Sequence, residues 1–304
     1  MNLLTSLLPP VLGLLLAPLL LGLTNRTKAF FAGRRGPPLL QPYYDLGRLL
    51  RKGAVYSRTT TWVFRMGPIV GLAAMLAALP LLPLGGVVAP LAFTGDILLL
   101  AGLLATARFV TVIAALDTGS SFEGMGASRE VQFSALTEPA LLLGLAALAR
   151  ATGCSSLSTI AAAVSPDLWG RAAPALAMAA AALAVISLAE NSRIPVDDPN
   201  THLELTMIHE VMVLDHSGPD FAFIEYAAAL KYWLLGGLVV TVVIPVRTGT
   251  LLVDIPAALL GMAAWSVGVG IVESSMARLR LLRVPQLLVG ATGLAVLALM
   301  LVGR

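Results

Sequence analysis

The sequence predicts an all-α, polytopic membrane protein with about eight transmembrane helices and one in-plane amphipathic helix. Two observations carry that prediction. Of the 304 residues, 58% are hydrophobic and only 12% are charged, whereas a soluble domain carries about 25% charged residues. The apolar residues also fall into eight runs, each of about the 20 residues needed to cross a bilayer. These runs are roughly 3–23, 67–90, 97–117, 131–150, 172–190, 221–246, 254–273 and 284–303. Residues 1–304 read as a single integral membrane domain, with the main polar loops at about 24–65, 118–130, 191–220 and 274–283.

The first run lacks a basic residue ahead of it and is followed by Arg26 and Lys28. That is the charge order of a membrane span rather than of a cleaved leader. The first loop holds Arg26, Lys28, Arg34, Arg35, Arg48, Arg51, Lys52, Arg58 and Arg65; later loops on the same side hold Arg129, Arg193, Arg278, Arg280 and Arg283. The opposite side has only Arg150, Arg171, Arg247 and Arg304. The positive-inside rule then puts the odd loops in the cytoplasm and both termini on the outer side of the cytoplasmic (inner) membrane. The net charge of +3 reflects this clustering and gives no reason to expect nucleic acid.

Within the first loop, Leu39, Tyr43, Leu46 and Leu50 recur at helical spacing, with Gln41, Asp45, Arg48, Arg51 and Lys52 on the other side and Pro42 fitting a first turn. The pattern reads as a short helix in the plane of the lipid bilayer; an ordinary basic loop is the alternative. In the second run, Pro68, Pro80, Pro83 and Pro90 predict kinks or an early exit near Pro80. No internal repeat is visible, which counts against a transporter built from repeated halves.

Ionisable groups within spans cost about 3 kcal/mol each on insertion scales. Here they are Arg108, Glu138, Glu225 and Lys231, with Glu190 and Glu273 at span ends. Arg108 lies too deep to reach water easily and is expected to pair with an acid from another helix, as structure or as function. Glu138 precedes Pro139, whose missing N–H frees a carbonyl and suggests a polar cavity. Glu225 and Lys231 are six apart and should face different neighbours. Glu273 beside Arg278 reads as a solvated pair.

The segment from Glu190 to Asp220 holds all three histidines, His202, His209 and His216, and seven of the seventeen acids. Spacing by seven puts neighbouring histidines about 10 Å apart on a helix, too far to share a metal ion, so no metal site is expected. Glu204 can close a capping box with Thr201 or take part in proton handling. The single cysteine, Cys154, cannot by itself hold a four-thiolate cluster. The candidates for a proton path are therefore Arg108, Glu138, Glu190, Glu204, Glu210, Glu225 and Lys231, with no catalytic residue in the chain.

Three segments carry a family resemblance. AENSRIPVDDPNTHLELTMIHEVMVLDHSGPD, GRRGPPLLQPYYDLGRLLRKG and GSSFEGMGASREVQFSALTEP resemble loops of the respiratory complex I subunit 1 family. They are most similar to its group 4 [NiFe]-hydrogenase branch, the formate hydrogenlyase-like and hydrogenase-4-like subunits. The quinone-reducing branch has an N-R-x-P-F-D-L-P-E type of sequence where this chain has Ser192-Arg193-Ile194-Pro195-Val196-Asp197-Asp198-Pro199, a departure that favours the hydrogenase branch.

The resemblance implies a membrane anchor and coupling subunit at the joint of two arms, one soluble and one in the membrane. Its expected partners are [NiFe]-hydrogenase large and small subunits, an iron–sulfur protein and antiporter-like membrane subunits. The [NiFe] centre and iron–sulfur clusters would reside in those partners, with no cofactor bound by this chain alone. Arg34, Arg35, Arg193, Asp197, Asp198 and Asp215, together with the in-plane helix, are the expected docking residues for the soluble arm. The alternatives are a quinone-site subunit of an NADH:quinone oxidoreductase and a stand-alone ion or solute transporter.

Overall fold

The computed structural model describes residues 3–197 and 207–302. The described residues form helices α1 (Leu3–Ser6), α2 (Leu8–Phe31), α3 (Gln41–Leu49), α4 (Trp62–Ala78), α5 (Asp96–Asp117), α6 (Ser121–Thr152), α7 (Leu157–Ala163), α8 (Pro166–Glu190), α9 (Gly218–Val243), α10 (Leu251–Ser275) and α11 (Val284–Val302). Eight of these, α2, α4, α5, α6, α8, α9, α10 and α11, are long and apolar enough to cross a membrane, some with a short extension.

The bundle is built around α9. Leu230, Tyr232, Trp233, Leu234 and Leu235 are all buried, so this stretch is enclosed on every side, as an all-round apolar helix requires. Helices α2, α4, α8 and α10 pack against α9; α5 lies between α4 and α6, and α11 covers α6 and α8. The predicted early exit holds. Helix α4 ends at Ala78 and gives way to a 3₁₀ turn over Leu79–Leu81, where Pro80 cannot continue the ladder.

Two helices overrun their expected ends. Helix α2 continues through Arg26 and Lys28 to Phe31. The charge does not stop it, because Lys28 meets the buried carboxylate of Glu273 at 2.7 Å; Gly33, at φ +64°, follows its end. Helix α6 begins at Ser121, ten residues before the expected position, and takes in Glu123, Arg129 and Glu130. The third connection is therefore only residues 118–120. Glu123, Arg129 and Glu130 turn inward, so their charge marks an interior face rather than a loop.

Helix α3 is present, with Pro42 in its first turn, and packs against both α2 and α9. Its stripe is shorter than predicted: Tyr43 and Leu46 lie within it, while Leu39 and Leu50 fall just outside. The Tyr43 hydroxyl donates to the Leu15 carbonyl of α2.

Candidate functional site

Arg108, near the middle of α5, is the centre of a polar core inside the bundle. Its side chain is 8% exposed and meets three carboxylates from two other helices. Nη2 contacts Oε1 of Glu190 at 2.6 Å, Nε lies 3.4 Å from Oε1 of Glu130, and Nη1 donates to Glu138. Glu190 also accepts from the Thr137 hydroxyl at 2.8 Å and lies 4.0 Å from Nζ of Lys231.

The helices explain this convergence. Glu130 and Thr137 are seven residues apart on α6 and so share a face. Glu190 is the last residue of α8, and Lys231 projects from α9. Three carboxylates here face two cations. With all five ionised the set carries one excess negative charge, and uptake of one proton makes it neutral.

Three neighbouring cavities, sharing lining residues, lie in series from this core towards α3. Arg108, Glu130, His209 and Lys231 line one of about 60 Å³ against α4. Glu190, His209, Glu210, Glu225 and Lys231 line the next, of about 100 Å³. Arg193, Glu210 and Glu225 then border a third, of about 250 Å³, enclosed by α2, α3 and α9. Lys231 and His209 bridge the first two cavities, and Glu210 and Glu225 bridge the second and third. Each has room for water, which needs roughly 10–15 Å³ and two to four polar partners.

The described parts of the connection after α8 pack over the core. Asp197, 2% exposed, accepts from the backbone N–H groups of Ile208 and His209 at 3.1 Å each, and pairs with Arg278 at 2.9 Å. Residues 207–213 then press on α6 at Gly126, where an added Cβ would come within 2.3 Å of Val211. His209 is thereby held in the cavity wall. Burial, reinforced by the Lys231 charge, pushes its pKa down to about 4. His216 lies stacked on Phe64, ring centroids 3.9 Å apart, and burial lowers it to about 4 as well.

The structure thus brings Arg108, Glu138, Glu190 and Lys231 into one cluster and places Glu210 and Glu225 along the cavities that lead from it. Glu225 and Lys231 both line the middle cavity, though only Lys231 approaches Glu190. Glu204 and Asp198, like His202 and Thr201, lie outside the described residues. Glu130 and Thr137 belong to the site but were not singled out from the sequence; His209, weighed there only as a metal ligand, lines the cavities instead. Glu130 stood at an expected loop boundary; only the true start of α6 reveals that it shares a face with Thr137.

Two docking expectations are corrected. Asp197 is buried and Arg193 largely so, rather than presented at the surface. Arg193, with its side chain 11% exposed, pairs with Glu273 at 3.3 Å and lies over the Tyr232 ring. Asp197 is consumed by the contacts just described. Arg34, Arg35 and Asp215 are exposed. The expected solvated pair of Glu273 with Arg278 is also corrected: Glu273 is buried between Lys28 and Arg193, and Arg278 goes to Asp197.

A membrane bundle with an ionisable core capped by a fastened loop is the class that these features define. The chain belongs to the NADH dehydrogenase (complex I subunit 1-like) family, whose model matches residues 4–303. It is 35% identical over 288 residues to formate hydrogenlyase subunit 4 of Escherichia coli (strain K12), covering 93% of this chain and 92% of that one. It is 32% identical over 278 residues to hydrogenase-4 component C of the same organism, covering 90% and 87%. The fold also matches a chain of the membrane-bound sulfane sulfur reductase, an archaeal respiratory membrane complex, with a TM-score of 0.84 at 20% identity over 98% of each chain.

Proposed function

We propose that this chain is a non-catalytic membrane subunit of a group 4 [NiFe]-hydrogenase complex. It anchors a soluble redox arm to an ion-pumping membrane arm and contributes a proton path between them. The observation that carries this reading is the contact of Arg108 with Glu130, Glu138 and Glu190, inside the bundle and beside cavities that share lining residues in series towards α3. Such a group of acids within a membrane is retained at a cost, and its charge changes by one proton at a time. The names of the two E. coli relatives support membership of a hydrogenase assembly.

In this reading the basic side faces the cytoplasm, both termini lie outside, and Arg34, Arg35 and Asp215 belong to the surface that meets the soluble arm. The [NiFe] centre and iron–sulfur clusters belong to partner subunits. Reporter fusions at Arg58 and Asp167 test the orientation: a cytoplasmic signal is expected at Arg58 and an external one at Asp167.

Membership is tested by purifying the tagged chain from native membranes and identifying what accompanies it. [NiFe] large and small subunits, an iron–sulfur protein and antiporter-like subunits are expected. Recovery with NADH-oxidising subunits would favour the quinone-site alternative, which the cavity of about 250 Å³ between α2, α3 and α9 supports. Recovery of an active lone chain would favour a transporter.

A further inference from the structure

The outer face of α3 is a basic cleft that the proton path does not use. Tyr43, Tyr44, Gly47, Arg48, Arg51 and Lys52 line an open cleft of about 600 Å³. The helical turn continues past Leu49 through the N–H of Leu50, Arg51 and Lys52, so Arg48, Arg51 and Lys52 follow at the three- and four-residue spacing of one face. Among the described residues Asp45 opposes them, 3.9 Å from Arg48 and also held by Gln41.

The depth of this cleft decides its partner. The carbonyl of Leu39 leans on α2 at Gly22, where a Cβ would come within 2.1 Å of it, and Tyr43 reaches the Leu15 carbonyl. Those contacts are about 14 and 24 Å short of Phe31 along the α2 axis. Helix α3 therefore lies beside the membrane-crossing part of α2 and not at its tip, where Arg34 and Arg35 stand. Exposed apolar residues lie in and just after the same stretch of chain: Leu50 is 54% exposed, Val55 75% and Trp62 72%. Cations mixed with exposed apolar and aromatic side chains fit the boundary between headgroups and acyl chains.

We propose that this cleft binds the headgroup of an anionic phospholipid. Arg48, Arg51 and Lys52 would take the phosphate oxygens, with Tyr44, 58% exposed, at the same level; guanidinium groups match phosphate bidentately. The inference rests on the membrane topology and not on the proton path.

The test is native mass spectrometry of the intact complex released from nanodiscs of phosphatidylcholine with phosphatidylglycerol. The wild type should retain phosphatidylglycerol. The Arg48→Gln, Arg51→Gln, Lys52→Gln triple variant should lose it, with about a five-fold fall in affinity per charge removed, while Arg58→Gln keeps it. If the triple variant fails to fold, Arg51→Gln alone should give the partial loss. Equal retention of phosphatidylglycerol by wild type and variants overturns the proposal. So does loss of the soluble subunits with lipid retained, which would make the cleft a protein-docking face.

Discussion

Arg108 of α5 and Glu190 of α8 meet at 2.6 Å between Nη2 and Oε1, and that contact ties two membrane helices together through a charge pair. It also brings the end of α8 to the same point as Thr137 of α6 and Lys231 of α9. Four helices thus share one polar centre. Buried ion pairs contribute little when compared with apolar packing, but removing one partner strands the other.

Arg108→Gln should therefore destabilise the bundle strongly. Glu130, Glu138 and Glu190 would lose their shared cation, and breaking such a buried set costs about 3–5 kcal/mol. Thermal unfolding in detergent, with recovery of the assembled complex as a second readout, measures it. Glu138→Gln should cost far less, because its side chain is 46% exposed. Equal losses for the two variants would show that Arg108 does not hold the core together.

Much of this arrangement was legible in the sequence. Eight apolar runs gave the spans, and the rarity of charge within them pointed to Arg108, Glu138, Glu190 and Lys231. Helix ends were less legible, since a charge stops a membrane helix only when it has no partner. Lys28 has Glu273, so α2 runs on; Arg129 and Glu130 turn inward, so α6 starts early. The fates of Asp197 and Arg193 depended on contacts more than 70 residues away, with Arg278 and Glu273. Local pattern cannot tell such a residue from one that greets a partner.

Asp197→Asn should loosen the loop that caps the core. The amide can still accept from Ile208 and His209, but the ion pair with Arg278 is lost and the bonds are no longer charge-assisted, a loss of about 1.5–3 kcal/mol. Hydrogen exchange over residues 207–213 should become faster, with exchange in α11 unchanged. An unaltered loop would mean that packing at Gly126 and Val211 suffices to hold it.

The stretch that follows it, around His216, should become less stable in acid. His216 titrates at 6.5 when the segment opens and at about 4 when it is stacked on Phe64. Above pH 6.5 neither state is protonated and the residue adds no pH dependence. As pH falls from 6.5 to about 4, only the open state takes up the proton, so the closed state loses about 3 kcal/mol in all; below that the effect levels off. His216→Phe retains a ring and removes the titration. Unfolding measured from pH 4 to 8 should show a shallower acid loss in the variant; identical slopes would contradict the assignment.

The most direct measurement is proton translocation per hydrogen turned over, in membrane vesicles holding the intact complex, for Glu190→Gln and Glu130→Gln beside the wild type. Glutamine preserves shape and hydrogen bonding but cannot carry the proton. With subunit content verified as normal, proton translocation should fall by about ten-fold or more. Both variants assembling normally and keeping full coupled activity would contradict the proton path and leave the polar core a purely structural joint.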